Sequence, residues 1–343
     1  MNTSRVWTAF AAAVAAVCIC FALLVSLGTR DSKAAVTPMK TTASRQKGAS
    51  TVYMTREITP ESLVRIYKVL DFDAAGKTAV KISTGESQRS NHLRPALIKD
   101  LVQSVDGTLV ECNTAYGGNR ATLAKHWQQI KQRGYLDIAP VDLLDKDGDM
   151  PIPVPGKQHR IAKDYVGKHI DNYDSLICLA HFKGHAMAGY GGAIKNMSIG
   201  FGSTRGKMYI HTAGNSETSW EGSENQDGFL ESMADACSAV IDRFEGKVVY
   251  INVMNNMSID CDCNGNPAKP TIHDMGILAS YDPVALDKAC LDLIYNHVAE
   301  SGENTQTFID RVTSRNGLHT LEYAEQIGLG TQKYTVKSID KAK

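Results

Sequence analysis

The sequence has no excess of either charge. Its 343 residues include 37 lysines and arginines against 37 aspartates and glutamates, so the formal net charge at pH 7 is zero. Proteins that bind nucleic acid through its phosphates usually carry a basic excess or patch. The composition therefore gives no indication of a nucleic-acid partner, and we expect none.

Cysteine is scarce, and beyond residue 30 the chain holds Cys112, Cys178, Cys237, Cys261, Cys263 and Cys290. In roughly 300 residues this is far too few for a disulfide scaffold. Three of them, Cys178, Cys237 and Cys290, lie in apolar segments and are predicted to be small buried side chains. The spacing of the histidines and cysteines matches none of the common zinc signatures, so it specifies no particular metal.

One long uncharged apolar run is present, at residues 6–27. It is long for a signal peptide and just long enough to cross a bilayer as a helix; a buried core helix is the third alternative. We predict that residues 1–30 are a signal peptide or an N-terminal membrane anchor. Residues 31–50, rich in Thr, Ser, Ala and Lys, are predicted to be a flexible tether. The protein is then extracytoplasmic, either secreted or held at the membrane by this segment.

Strand-like and helix-like segments alternate over residues 51–343. Helices are predicted at 60–70, 95–105, 121–133, 229–244 and 283–299, and strands at 78–83, 108–112, 175–180, 248–253 and 277–279. This alternation predicts an α/β domain, Rossmann-like, with a mainly parallel sheet and helices on both faces. Two lobes, about 51–165 and 166–343, are a possible division. Ligands of such folds collect at the carboxyl ends of strands, where polar residues stand at 84–86, 113–114, 181–183 and 255–256.

Residues 181–211 are predicted to form a polar, glycine-rich active or cofactor site. Gly191 and Gly192 allow the backbone N–H groups to approach an anion or cofactor closely. His185 and Lys195 are groups that perform acid/base, metal-ligand or covalent chemistry. The remaining candidates are His181 and His211 as metal ligands and Lys183 as a catalytic cation. The alternative is a solvated loop whose histidines cap helices.

Two further segments contain candidate anion contacts. Arg94 precedes Pro95 at a predicted helix start, where a guanidinium beside free backbone N–H groups would clamp a phosphate or carboxylate. Arg120 follows a glycine turn in a similar position, and Glu86 follows the strand at 78–83. The alternative is that Pro95 simply opens a helix and Arg94 is solvated.

The segment Asp260-Cys261-Asp262-Cys263 is the second unusual cluster. Its two thiols are not expected to cross-link to each other readily without strain. A Cys-x-Cys pair supplies half of a tetrahedral metal site, and His273 and Asp274 are candidates to complete it. A reducible regulatory pair and an inert surface loop are the alternatives.

Residues 181–196 resemble the central motif of the family called domain of unknown function 362. Residues 81–86, the pair Arg94-Pro95, and residues 260–263 and 276–287 resemble other conserved parts of that family. Many relatives carry a ferredoxin-like insert with four-cysteine motifs after the position of His211. This chain has no cysteine in residues 212–227. An iron–sulfur cluster is therefore not expected.

The order His, Gly-Gly-x-Lys, His is also similar to a motif of the nickel-pincer lactate racemase family. The resemblance implies that Lys195 tethers a nickel-pincer nucleotide, His211 binds the metal and His185 is an acid/base. It further implies that Arg94 contacts the cofactor phosphate. That family has another catalytic histidine where this chain has Asn119, so racemisation by two bases is not expected.

These observations predict a metal- or cofactor-binding protein that performs proton-transfer or redox chemistry on a small organic acid. Lys195 would hold the cofactor or the substrate anion, with Arg94, Arg120, Glu86 and Lys183 in support. The first alternative is a non-catalytic metal or small-ligand binding module that uses Cys261 and Cys263. The second is an electron-transfer partner, against which the missing cysteine insert argues.

Overall fold

The computed structural model describes residues 48–341. The predicted N-terminal segment, 1–30, and nearly all of the predicted tether, 31–50, lie outside these residues. Among the described residues, no helix combines the length and apolar character needed to cross a membrane.

Twelve strands and nine α-helices follow one another along the described chain. The strands are β1 (Ser50–Thr55), β2 (Thr78–Lys81), β3 (Thr108–Glu111), β4 (Val141–Leu143), β5 (Asp149–Pro153), β6 (Lys163–Gly167), β7 (Ser175–His181), β8 (Lys183–His185), β9 (Gly189–Gly191), β10 (Val248–Met254), β11 (Gly276–Ser280) and β12 (Tyr334–Ser338). The helices are α1 (Pro60–Val69), α2 (Pro95–Ser104), α3 (Leu123–Gln132), α4 (Ala193–Met197), α5 (Thr204–His211), α6 (Gln226–Arg243), α7 (Pro283–Tyr295), α8 (Gln306–Ser314) and α9 (His319–Gln326).

Eight strands form one sheet in the order β12-β1-β11-β10-β7-β2-β3-β4. The ladder from β10 through β7, β2 and β3 to β4 is parallel throughout, and β1 and β12 are also parallel. Strand β11 runs antiparallel to both of its neighbours. The predicted mainly parallel sheet is therefore confirmed. It contains strands from both of the segments suggested as lobes, 51–165 and 166–343.

Helices cover both faces of the sheet because successive side chains of its strands point to opposite sides. In β7, Ile177 and Leu179 pack in the same cluster as Leu63 of α1. Leu176 and Cys178 of the same strand pack on the other side, with residues of α6 and α7. All four side chains are fully buried, as expected for a parallel strand between two layers of helices.

The helix starts follow from capping chemistry that the sequence displays. Thr59 and Ser62 form a capping box at α1, with Thr59 Oγ1 accepting from Ser62 N at 3.1 Å and Ser62 Oγ accepting from Thr59 N at 2.9 Å. Asp282 accepts hydrogen bonds from two N–H groups of the first turn of α7. The predicted helix to residue 299 ends earlier, at Tyr295.

The hairpins β5–β6 and β8–β9 were not predicted, since strands of three to five residues show too few alternations.

Candidate functional site

A cavity of about 210 Å³ opens at the carboxyl ends of the parallel strands. Its wall includes Lys81 at the end of β2, Glu111 at the end of β3 and Lys183 just beyond β7. Cys261 and Cys263, from the segment after β10, complete this side. The site therefore lies where the strand order predicts a ligand, and the central motif contributes much of its wall.

The central motif folds as a hairpin followed by a short helix. Strand β8 pairs with β9, and α4 follows with Lys195 in its middle. A Cβ at Gly184 would collide with the backbone of Ile259, and one at Gly192 would collide with the carboxylate of Asp287. These two glycines are thus required by close packing. Gly192 also lines the cavity, whereas Gly191 pairs with Lys183 in the hairpin and is not brought to the cavity wall.

Asp287 holds α4 in place from the neighbouring helix α7. Its carboxylate accepts hydrogen bonds from Ala193 N at 2.8 Å and Ile194 N at 3.1 Å, and from the Asn252 amide at 2.7 Å. Burial raises the pKa of Asp287 to about 6. The start of α7 is capped by Asp282 and does not need Asp287. Asp287 instead fixes the position of Lys195.

Lys195 is the lysine of the cavity wall whose amine is free. Lys81 pairs with Glu111 at 3.0 Å, Lys183 pairs with Asp262 at 3.2 Å, and Lys207 donates to the Gly202 carbonyl. Among the described residues, the Lys195 amine has neither a hydrogen bond nor an ion pair. Burial, together with the Lys183 ammonium, lowers the pKa of Lys195 to about 7. Near neutral pH this amine therefore exists in both protonation states, as a proton donor, base or nucleophile requires.

The two histidines of the cavity wall have opposite tautomers, which their hydrogen bonds determine. His185 Nδ1 accepts from Met187 N at 3.1 Å and Ala188 N at 2.9 Å, so the proton of the neutral ring is on Nε2. His211 Nδ1 donates to the Lys207 carbonyl at 2.6 Å, so its Nε2 has a free lone pair. Burial lowers the pKa of His185 well below its ordinary value and that of His211 to about 4. At neutral pH, His185 is thus a hydrogen-bond donor and His211 an acceptor.

The tautomer of His185 argues against the predicted metal-ligand role of this residue. One of its ring nitrogens and the sulfurs of Cys261 and Cys263 lie within 4.8 Å of one another, a grouping that by distance alone suits a metal ion. However, Nδ1 is occupied by two N–H donors and Nε2 carries the proton. His211 has the arrangement typical of a metal-ligating histidine, because its other nitrogen donates to a carbonyl.

His181 does not meet the prediction that it ligates a metal. Its Nδ1 lies 2.8 Å from Asp262 Oδ1, and its Nε2 lies 2.6 Å from the Asn255 carbonyl oxygen. Each ring nitrogen therefore faces an acceptor oxygen of the protein, and neither is directed into the cavity, whose wall does not include His181. The ring is fully buried beside Asp262, behind the cavity wall. His181, the last residue of β7, is a structural residue that holds the segment after β10 in place.

Cys261 and Cys263 are joined in a disulfide, a bond that the spacing of the two cysteines did not favour. The backbone allows this bond to form, since the two Cα atoms lie 5.2 Å apart. While bonded, neither sulfur is a thiolate that could bind a metal. His273 does not complete this cluster, because its exposed ring pairs with Glu303 at 3.3 Å. The buried state predicted for Cys178, Cys237 and Cys290 is confirmed.

Arg120 and Glu86 belong to a buried ion-pair network below the cavity. Arg120 Nη1 lies 3.2 Å from Glu111, and its Nε lies 3.3 Å from Glu86. Glu86 also accepts from the Asn119 backbone N–H, which fixes the glycine turn at 116–120. Arg120 reaches the cavity wall with its guanidinium already paired, and Glu86 does not reach it. Burial alone would raise the pKa of Glu111, but Lys81 and Arg120 hold that pKa far below its ordinary value.

Arg94 is not brought to the cavity. Its side chain is exposed beside the start of α2, where it donates to the carbonyls of Ser90 at 3.0 Å and Gln88 at 3.2 Å. The anion clamp predicted for Arg94 thus has no counterpart at this site. Its hydrogen bonds instead hold the turn before α2.

Several wall residues were not singled out from the sequence, namely Lys81, Glu111, Asn196, Lys207 and Trp220. A charged residue closing a short apolar strand was the available signal for Lys81 and Glu111. Trp220, whose ring lies edge-on to His211 with centroids 5.2 Å apart, follows α5 in a segment with no periodic pattern. Nothing in the sequence alone identified it.

Comparisons with known proteins identify one family, and the distantly similar solved structures include the two described here. The family model described as domain of unknown function (DUF362) matches residues 78–292. The lactate racemase apoprotein of Thermoanaerobacterium thermosaccharolyticum is similar with 12% identity and a TM-score of 0.41, over 72% of this chain and 57% of that one. A Thermotoga maritima protein from the Northeast Structural Genomics Consortium is similar with 7% identity and a TM-score of 0.41, over 80% of this chain and 60% of that one. This chain thus spans less than two thirds of each, and no curated protein matches it.

Proposed function

The chain belongs to the DUF362 family of domains of unknown function, and from this premise we propose that it binds a small organic anion in the cavity and transfers a proton to or from it. The observation that carries the proposal is the free amine of Lys195, which shares the cavity wall with a histidine donor and a histidine acceptor. Proton-transfer groups are most effective when their pKa lies near the working pH.

The size and charge of the cavity support a small anion as the ligand. Pockets for drug-sized ligands measure roughly 300–1,000 Å³, and this cavity measures about 210 Å³. Of its cationic groups, Lys81, Lys183 and Arg120 are paired with carboxylates and Lys207 donates to the Gly202 carbonyl, whereas Lys195 has no such partner among the described residues. A ligand carboxylate would supply the missing partner through a charge-assisted hydrogen bond.

Each of the three groups takes a separate part in this proposal. Lys195 binds the ligand carboxylate when protonated and accepts a proton when neutral. The Nε2–H group of His185 donates to a charged oxygen of the ligand carboxylate and so strengthens binding. The free Nε2 of His211 accepts a proton or a hydroxyl hydrogen bond from the ligand.

The residues fit only part of the nickel-pincer nucleotide that the motif resemblance implies. A free amine at Lys195 and a free Nε2 at His211 suit the tether and the metal ligand of such a group. Arg94, the implied phosphate contact, lies outside the cavity, and the cavity is small for a nucleotide. A metal held by His211 would polarise a ligand oxygen as a Lewis acid. The proton transfer proposed above depends on the side chains alone.

The test combines binding and proton exchange for a panel of two- to five-carbon 2-hydroxy- and 2-oxocarboxylates. Trp220 fluorescence reports binding, and the Trp220→Phe variant is the control that loses this signal. Incorporation of deuterium at the ligand C–H in D₂O, followed by ¹H NMR, reports proton transfer. Binding without exchange would leave a non-catalytic binding module, and no binding by any member would contradict the proposal.

The two histidines are expected to affect different steps in this assay. His185→Leu should weaken binding about tenfold, because leucine has no donor and a hydrogen bond to a charged group is lost. His211→Gln should leave binding within about threefold and slow exchange by about 10²–10⁴, as for loss of a general base. Equal effects of both variants on affinity and on exchange would contradict these roles.

We also propose that the protein is exported, on the basis of the apolar run at residues 6–27. The Cys261–Cys263 bond supports this proposal, because disulfides persist mainly in oxidising compartments. Expression with a C-terminal tag in the native host, followed by fractionation, tests it. Recovery of the protein in the cytoplasm with both thiols free would contradict export.

A further inference from the structure

The described cysteines fall into two groups with different chemistry. Cys112, Cys178, Cys237 and Cys290 are buried free thiols, and burial raises the pKa of each of them. They are therefore poor nucleophiles. Cys261 and Cys263 are bonded to each other and line the cavity. Among the described cysteines, this pair is both oxidised and accessible to a ligand in the cavity.

The disulfide is expected to contribute little to the stability of the fold. Stabilisation by a cross-link grows with the length of the loop that it closes, and this bond encloses one intervening residue. The segment is held independently of the bond. Asp262 O accepts from Glu86 N at 2.8 Å, and the Asp262 carboxylate pairs with His181 and Lys183. Gly184 N also donates to the Ser258 carbonyl at 2.7 Å.

The two sulfurs differ in a way that defines a direction of attack. Cys263 is partly exposed to the cavity, whereas Cys261 is 6% exposed. The Cys263 backbone N–H donates to Cys261 Sγ at 3.1 Å, and such a donor stabilises negative charge on that sulfur. An incoming thiolate would therefore attack Cys263, and Cys261 would be the leaving group.

We propose that the Cys261–Cys263 disulfide is a redox-active centre that exchanges with small carboxylate-bearing thiols entering the cavity. The choice of carboxylate-bearing thiols rests on the proposed function, because Lys195 on the same wall would bind the carboxylate. The exchange itself rests on the position of the disulfide. Since Asp262 holds the segment without the bond, the two sulfurs remain near each other after reduction and can be oxidised again.

The reaction proceeds in two steps. The thiolate of the first small thiol bonds to Cys263 Sγ, the Cys261–Cys263 bond breaks, and its electron pair remains on Cys261 Sγ. The second thiolate then attacks the small-molecule sulfur of the mixed disulfide and releases Cys263 as a thiolate. Two small thiols are oxidised to their disulfide. The protein pair is reduced by two electrons and takes up the two protons that the thiols lose.

The test compares three reductants with the full-length protein under native conditions: 3-mercaptopropionate, 2-mercaptoethanol and cysteamine, at equal thiolate concentration. Samples are quenched with N-ethylmaleimide, and intact mass and peptide mapping locate the modified thiols. We expect two adducts, on Cys261 and Cys263, with the buried thiols unmodified. Reduction by 3-mercaptopropionate should be at least about tenfold faster than by cysteamine, with 2-mercaptoethanol between them.

Single variants test the direction of attack. The disulfide of 3-mercaptopropionate is the probe. The Cys261→Ser variant forms a mixed disulfide at Cys263, and the Cys263→Ser variant forms one at Cys261. We expect the first reaction to be at least about tenfold faster than the second. Comparable rates would overturn this direction.

The outcomes separate this inference from the proposed function. A disulfide that resists all three reductants until the protein is denatured would overturn the redox role, whatever the carboxylate-binding assay gives. Equal rates with all three would support exchange and overturn the carboxylate selectivity that rests on Lys195.

Discussion

Replacing Lys195 with methionine is expected to weaken carboxylate binding about 100-fold while making the folded protein more stable at pH 6. The lost charge-assisted hydrogen bond contributes up to about 3 kcal/mol, which corresponds to this factor. The gain in stability arises because the wild-type amine is largely buried without a partner. Methionine has a similar length and carries no charge that burial would penalise.

The pH dependence of this stability gain follows from the direction of the pKa shift. The pKa of Lys195 is about 7 in the folded state and about 10.4 in an unfolded chain. Between these values the unfolded state binds more protons, so the amine's contribution to stability rises with pH. The penalty is complete below pH 7 and disappears above about pH 10.5. We expect the free energy of unfolding of the variant to exceed that of the wild type by about 1–3 kcal/mol at pH 6 and by almost nothing at pH 10. The value at pH 6 is reduced because the cavity partly solvates the amine.

Urea unfolding of both proteins at pH 6 and pH 10 measures the difference, and Trp220 fluorescence measures binding. Lys99→Met, at an exposed position on α2, is the matched control and should change neither quantity. Lys195→Arg retains a charge but not a readily neutral amine, so it should retain part of the binding and lose proton exchange. A Lys195→Met variant that binds normally, or that is less stable at pH 6, would contradict the role assigned to this amine.

Replacing Glu111 with alanine is expected to destabilise the fold by about 3–5 kcal/mol. The change leaves Lys81 and Arg120, which are 1% and 5% exposed, without their shared carboxylate. It also leaves Thr84 N without its acceptor at 2.9 Å. Removing one member of a buried ion pair costs more than the pair contributed, because the remaining charge stays desolvated.

Glu57→Ala is the matched control for this prediction. Glu57 forms an exposed pair with Arg65 at 2.8 Å, and loss of such a pair should cost less than about 1 kcal/mol. Because the pKa of Glu111 is held below its unfolded value, its stabilising effect is present above about pH 4.5 and is lost as pH falls. The difference between Glu111→Ala and wild type should therefore shrink in acid. Equal unfolding free energies for the two alanine variants at pH 7 would rule out this role for Glu111.

Most of the sheet and the position of the site could be predicted from local sequence signals. The apolar run that became β7 and the Thr59 cap of α1 depend on neighbouring residues, so they are readable without a fold. The hairpin β8–β9 was missed because its short strands are stabilised by packing against the segment at 258–259. The cavity lies at the carboxyl ends of the strands, where the sequence predicted ligands to collect, because a parallel sheet brings those ends together.

The sequence by itself indicated that His185, Lys195 and His211 belong to one polar site and that ligands collect at the carboxyl ends of the strands of a mainly parallel sheet, but it did not place the cysteine pair on the same cavity wall. Only the tertiary structure decided what each of them does. His181 and Asp262 are 81 residues apart, and their contact removed His181 from the set of metal ligands. Lys183 is paired and Lys195 is free, although both belong to one motif. The order of strands in the sheet decides which charged groups meet. These contacts set the protonation states of the groups, which local sequence patterns do not encode.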